Sequence, residues 1–218
     1  MSTDFEREKQ LAAEAAAALV DDGTAVGLGT GSTAGYFLRA LAARGLELVC
    51  VATSPETETA ARTLGLHVEP FDSSAKVARL DIAVDGADQV ARGGWVVKGG
   101  GGAQTREKIV AAAARRFVVI VSSDKLVDEI GPPIPLELHA FGLAATLARL
   151  GDARLRSAGP TPDGGVLADW IGPVADTAEL AARLAAAPGV VEHGLFAPEL
   201  VSEVLVGRSD RVERIGSS

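Results

Sequence analysis

The chain has 218 residues, 47% of them hydrophobic and 23% charged, with a formal net charge of -8 at pH 7. That length and apolar content suit one large or two small globular domains. The acidic balance argues against a dedicated nucleic-acid binder, which clusters Lys and Arg against phosphates, and against an anionic membrane surface. The single cysteine, Cys50, allows no internal disulfide, and no apolar run reaches membrane-spanning length.

In chain order, Thr3-Asp4-Phe5-Glu6 has the form of a capping box and opens an Ala-rich helix that runs to about Val20. The polar start lacks the apolar stretch of a signal peptide, so a cytoplasmic protein is expected. Strands are predicted near Thr24–Leu28, Glu47–Ala52, Leu80–Asp85, Trp95–Lys98 and Phe117–Ser122, with helices near Thr33–Arg44, Pro55–Leu64 and Gln104–Ala114 between them. Several of these strands are continuous Val/Ile/Ala/Leu runs, the pattern of a parallel sheet covered on both faces. After Gly131-Pro132-Pro133 the order becomes strand (Ile134–Leu138), helix (Ala140–Leu150), strand (Ala153–Ala158), strand (Val166–Ile171), helix (Thr177–Ala186) and strand (Val190–Phe196). That β-α-β-β-α-β order is the ferredoxin-like plan. Val201–Val206 and Val212–Ile215 are expected to return to the first domain as added strands. The predicted fold class is α/β: a doubly wound, mostly parallel, Rossmann-like domain (1–131 plus 201–218) with a smaller α+β ferredoxin-like domain (132–200).

The run Gly27-Leu28-Gly29-Thr30-Gly31-Ser32-Thr33 joins the first predicted strand to a helix. Such a turn aims free backbone N–H groups and the positive end of a helix dipole at an anion, and Thr30, Ser32 and Thr33 add hydroxyls. Its bland reading is a tight βα turn with glycines for packing. No Lys precedes the Ser/Thr, so it is not a P-loop. Gly29-x-Gly31-x-x-Ala34, with Glu56 after the next strand, has the form of a dinucleotide fingerprint, which keeps an NAD-dependent oxidoreductase as an alternative.

Four further clusters fall at predicted strand ends or a helix start. They are Asp85-Gly86-Ala87-Asp88, Lys98-Gly99-Gly100-Gly101-Gly102-Ala103, Thr105-Arg106-Glu107-Lys108 and Ser122-Ser123-Asp124-Lys125. Singly, each has an ordinary reading: Asp-Gly as a turn, Asp as a helix cap, Glu107 as a dipole complement, Lys98 and Lys125 as solvated cations. Together at the active edge of one sheet they supply one chemistry. A carboxylate abstracts a proton beside a carbonyl, a lysine stabilises the oxyanion, further carboxylates bind sugar hydroxyls, and a loop holds phosphate. His67, His139 and His193 are scattered, so no metal site is expected, and Gly-x-Ser-x-Gly is absent, which disfavours acyl transfer.

Gly-Thr-Gly-Ser-Thr, Asp-Gly-Ala-Asp, Lys-Gly-Gly-Gly-Gly-Ala, Arg-Glu-Lys-Ile and the later Asp-Lys stand in the order and spacing of the type A ribose-5-phosphate isomerase family. So do Pro-Ile-Pro-Leu-Glu-Leu and Pro-Gly-Val-Val-x-x-Gly-Leu-Phe, and the chain resembles that family over nearly its whole length. The resemblance implies metal- and cofactor-free interconversion of D-ribose 5-phosphate and D-ribulose 5-phosphate through a cis-enediolate, a step of the non-oxidative pentose phosphate pathway. It also implies a homodimer or higher homo-oligomer. By position it implies Glu107 as the base, Lys98 as the enediolate stabiliser, Asp85 in ring opening and Asp88 on sugar hydroxyls. Gly86, Ala87, Gly99, Gly100 and Gly101 would complete the sugar site. Thr30, Gly31, Ser32 and Thr33, with Lys125 and Lys9, would hold the phosphate. The sequence departs from the family's pattern at Gln89, commonly Glu, and at Pro55-Glu56. A non-catalytic sugar-phosphate sensor is the second alternative, disfavoured by the retained Glu107 and Lys98 and by the absence of room for a DNA-binding module before Thr24.

Overall fold

The computed structural model describes residues 2–72, 74 and 77–216. The helices are α1 (Ser2–Ala17), α2 (Ser32–Ala42), α3 (Pro55–Thr63), α4 (Gln104–Ala113), α5 (Leu143–Leu150) and α6 (Thr177–Ala185). The strands are β1 (Ala25–Leu28), β2 (Val49–Ala52), β3 (Ile82–Asp85), β4 (Gln89–Ala91), β5 (Val96–Val97), β6 (Phe117–Ser122), β7 (Leu126–Val127), β8 (Ile134–Leu138), β9 (Ala153–Leu155), β10 (Val166–Trp170), β11 (Val190–His193), β12 (Leu195–Phe196), β13 (Glu203–Arg208) and β14 (Arg211–Gly216). Helix α1 already contains Thr3, so the expected capping box does not mark its start; the Thr3 side chain lies outside the described residues. No helix among the described residues is long and apolar enough to cross a membrane.

Two compact units emerge. The first comprises Met1–Ala87, Arg106–Leu126 and Glu199–Ser218. It holds a six-stranded sheet in the order β14-β13-β6-β3-β1-β2, parallel except for the β13·β14 hairpin. Every residue of β3 and β6 is buried, as a parallel sheet covered on both faces requires. Alternate side chains Val26/Leu28, Ile82/Val84 and Val118/Ile120 share a face. They form one core with Phe37 and Leu41 of α2 and the alanine stripe Ala12, Ala13, Ala16 and Ala17 of α1. The chain runs from β1 to β2 on one side, then crosses back to β3 on the other. The topological switch point therefore lies between the carboxyl ends of β1 and β3, where open α/β sheets bind ligands.

The second unit comprises Asp88–Thr105 and Val127–Pro198. Its larger sheet has the order β11-β8-β10-β9, antiparallel throughout. That is the fourth-first-third-second arrangement of the expected β-α-β-β-α-β unit. Ile134, Leu136, Leu138, Ala168, Trp170, Leu180 and Leu184 pack its core. The unit also holds a small sheet, β12-β5-β4-β7.

That small sheet changes one expectation. Val96-Val97 was expected in the parallel sheet; instead β5 pairs antiparallel with β4 and β12. The connection from β4 to β5, Arg92–Trp95, is a tight turn, and parallel pairing would need a crossover of roughly a dozen residues or more. Asp88–Thr105 therefore belongs to the second unit, and Lys98 does not end a strand of the six-stranded sheet.

Candidate active site

In the first unit, parallel pairing of Leu28 with Val84 sets Gly29 beside Asp85 at the switch point. The approach is so close that a Cβ on Gly29 would lie 2.1 Å from the Asp85 carboxyl carbon. Only glycine permits this. Asp85 is 3% exposed, and its Oδ1 accepts the N–H groups of Thr30 (3.0 Å) and Gly86 (2.7 Å). A buried carboxylate held by backbone donors is fixed in direction.

Both donors of Thr30 turn inward. Its N–H goes to Asp85, and its hydroxyl lies 2.8 Å from Thr53 Oγ1 and 3.2 Å from Thr57 Oγ1. Thr53 and Thr57 donate their own protons to the carbonyls of Leu28 and Gly29, which leaves the single Thr30 hydroxyl proton to one of the two at a time. Sequence reasoning missed Thr53 and Thr57. Their signal was the N-cap at Ser54, whose hydroxyl accepts the Thr57 N–H at 3.1 Å. Pro55 takes the first position of α3 and Glu56 its first turn, which gives that departure a helix-start role. Gly31 caps α2 at φ 106° with no side-chain cap, and Gly31 and Ser32 are exposed. The start of α2, with the Ser32 and Thr33 hydroxyls, is thus the anion-ready end of the loop.

Glu107 sits in the first turn of α4 and is 5% exposed. Lys125 follows β6 in a single 3₁₀ turn, its ammonium 3.0 Å from Asp124 Oδ2. Burial of Asp124 is outweighed by the Ser122 hydroxyl and the Lys125 ammonium, which hold its carboxyl below the usual value. Lys9 on α1 is 2.7 Å from Glu6, which also accepts the Tyr36 hydroxyl at 2.9 Å. Both lysines therefore already have a carboxylate partner.

In the second unit, Asp88 precedes β4 and Lys98 follows β5. The Gln89↔Val97 register sets the two opposite one another at the end of the hairpin. Lys98 is 2% exposed; its N–H donates to Gly194 O at 2.9 Å, and its ammonium stands 5.7 Å from the Phe196 ring centre. Burying a lysine is costly and is kept where its charge is used. Asp88 Oδ2 accepts the Gly100 N–H at 2.7 Å. Gln89 plays a structural part, for its amide donates to Gly131 O (2.7 Å) and accepts from Gly131 N (3.0 Å). An ionised Glu, which only accepts, could not do both. A missed carboxylate, Glu137 on β8, is 3% exposed and accepts the hydroxyls of Thr161 (2.7 Å) and Thr105.

The other candidate reactive groups are quiet. Cys50 is fully buried, and burial pushes its thiol up to about 12. His67 pairs with Glu69, while His139 and His193 each accept a nearby backbone N–H. Among the described residues no group of three His, Cys, Asp or Glu is placed to hold a metal ion.

The profile of the family described as ribose 5-phosphate isomerase A (phosphoriboisomerase A) matches residues 49–211. The ribose-5-phosphate isomerase A of Caulobacter vibrioides is 42% identical over 224 residues, covering 95% of this chain and 97% of its own. The chain belongs to the ribose 5-phosphate isomerase A family. The solved family member from Methanocaldococcus jannaschii superposes with a TM-score of 0.88 at 34% identity, covering 95% of this chain and 97% of its own. A D-ribose-5-phosphate isomerase solved in complex with phospho-erythronic acid gives a TM-score of 0.89 at 33% identity, covering 97% of this chain and 99% of its own. Membership in this isomerase family does not favour the oxidoreductase alternative, which rested on the glycine pattern and on Glu56, and Glu56 lies in the first turn of α3.

Proposed function

We propose that this chain interconverts D-ribose 5-phosphate and D-ribulose 5-phosphate by passing one proton between C2 and C1 through a cis-enediolate. Glu107 removes the C2 proton of the open-chain aldose while the C1 carbonyl becomes an oxyanion. It then returns the proton to C1 as the C2 hydroxyl becomes a ketone. The two oxygens exchange the balancing proton. Lys98 supplies the positive charge that the enediolate oxygen needs. Asp85, oriented by Thr30 and Gly86, assists opening of the furanose ring, and Asp88, beside Gly99, Gly100 and Gly101, binds sugar hydroxyls. The start of α2 takes the phosphate dianion through Gly31, Ser32 and Thr33, with Lys125 and Lys9 as further cations. Thr30 acts by bracing the loop.

The observation that carries this reading is 42% identity to a ribose-5-phosphate isomerase A over 95% of the chain, with Asp85, Lys98 and Glu107 all buried. The ligand of the related solved structure, phospho-erythronic acid, pairs a phosphate with a sugar-acid end, as the proposed site does. A ketose-formation assay with ribose 5-phosphate and with ribose, both in EDTA, tests the proposal. Turnover of the phosphate ester and a very poor rate with ribose are expected. Equal efficiency on the two sugars, or activity that returns only with added metal, contradicts it. Self-association belongs to the same reading, because the family resemblance implies it. Light scattering at micromolar concentration should show a homodimer or larger; monomer alone refutes this part.

A further inference from the structure

The loop after Lys98 has four consecutive glycines, Gly99 to Gly102, with positive φ at Gly99 (102°) and Gly102 (80°). Such a backbone has more freedom to lose than any other sequence, yet it must leave Lys98 and enter α4 in one geometry. Two side chains hold it. Asp88 takes the Gly100 N–H from one side. From the other, Arg156 Nη1 donates to the carbonyls of Gly99 (2.9 Å) and Gly100 (3.1 Å).

Arg156 is itself fixed. Its Nε and Nη2 make a two-pronged pair with Asp169 of β10, at 2.9 and 2.6 Å. Both side chains are largely shielded, 17% and 22% exposed. The pair uses one edge of the planar guanidinium, which leaves Nη1 aimed in a set direction. In a trans peptide the N–H points opposite to the C=O. Drawing the Gly99 and Gly100 carbonyls toward Arg156 therefore turns the N–H groups of Gly100 and Gly101 the other way. The Gly100 N–H meets Asp88, and Gly101 is exposed.

We propose that Arg156, anchored by Asp169, is a positioning residue for the isomerisation: it sets the two peptide planes after Lys98, holds Asp88 in place through Gly100, and turns the Gly101 N–H toward a sugar oxygen. Arg156 acts through the loop and does not itself touch the sugar. The proposal rests on the reading of Asp88 and Lys98 given above.

Steady-state kinetics on ribose 5-phosphate, with thermal melts of each variant, test it. Arg156→Met should lower kcat by about 10²-fold with KM changed far less, the cost of misplacing reacting groups by around an ångström. Arg156→Lys keeps the charge without the fork and should recover only part of the loss. Asp169→Asn weakens the anchor and should fall between wild type and Arg156→Met. In an Asp88→Asn background Arg156→Met should cost much less than alone, because both act through Gly100. The Gly100 carbonyl is at an exposed position and can take water, whereas the Gly99 carbonyl and Asp169 lose a partner, so a lowered Tm is expected of the Met variant; if it does not melt cooperatively, Asp169→Asn decides. Wild-type kcat in the deciding variant, even with a lowered Tm, overturns the proposal. Full activity in Lys98→Ala, measured alongside, overturns instead the site reading on which it rests.

Discussion

Replacing Gly29 by Ala probes how tightly the switch point is built. The new Cβ would stand 2.1 Å from Asp85 Cγ and Oδ1, whereas ordinary contact begins at 3.4 Å, so something must move by about 1.3 Å. The neighbour is no flexible side-chain tip. It is a carboxylate 3% exposed that holds the Thr30 and Gly86 N–H groups. Displacing it costs twice. Overpacking of this kind destabilises by about 1–3 kcal/mol, which for a chain of this length lowers Tm by roughly 2–12 °C. A catalytic group misplaced by about 1 Å loses on the order of 10²-fold in rate. Thermal melting and the ketose-formation assay read the two costs separately. Gly35→Ala in α2 is the control. Its new Cβ meets nothing closer than Arg39 Nη1 at 3.9 Å, so it should stabilise the helix by about 0.5–1 kcal/mol and leave turnover unchanged. A Gly29→Ala protein with wild-type kcat and Tm would refute the close approach and the role given to Asp85.

Other perturbations address the frame around the site. Gln89→Glu loses the donor to Gly131 O and sets a carboxylate against that carbonyl, so denaturant melts should show a loss of about 1–3 kcal/mol; an unchanged midpoint would contradict the pairing. Glu8 is 4% exposed; burial raises its carboxyl, but hydrogen bonds from the Ser123 hydroxyl and the Ser209 and Ser123 N–H groups outweigh it and hold it below its ordinary 4.5. Its folded value is depressed, so its stabilisation is full above about pH 4.5 and is lost as pH falls through the lower folded value. Glu8→Gln should therefore lower Tm at pH 7, with the gap to wild type closing below pH 4.5; a gap constant with pH contradicts it.

The sequence disclosed the parts of the site that local chemistry announces. A strand followed by Gly29, three hydroxyl residues and a helix mark the proposed anion loop, and an Asp closing a buried apolar run marks Asp85. The surroundings of a hydroxyl have no such signal: Thr30 reads as a phosphate donor, and nothing near it in sequence announces that its oxygen lies 2.8 Å from Thr53 Oγ1 and 3.2 Å from Thr57 Oγ1. Val96-Val97 is too short and too apolar to declare its sheet, and its antiparallel partners Gln89-Val90 and Leu195-Phe196 lie on either side of it in sequence. Arg156 and Asp169 were illegible for the same reason. Asp169 meets Arg156 because β9 and β10 pair, and nothing near either residue in sequence points to Gly99, which Arg156 reaches.

The proposed catalysis stands on Glu107 carrying the proton between C2 and C1. Its most direct test is exchange of the C2 proton of ribose 5-phosphate with deuterated solvent, followed by NMR in wild type and Glu107→Gln. The Gln side chain keeps shape and hydrogen bonding but not basicity, and removing a general base costs about 10²–10⁴-fold. Both exchange and ketose formation should fall by that factor while ribose 5-phosphate still binds. Near-normal exchange in Glu107→Gln, with exchange abolished in Asp85→Asn or Asp88→Asn, would contradict it and move the base to another carboxylate.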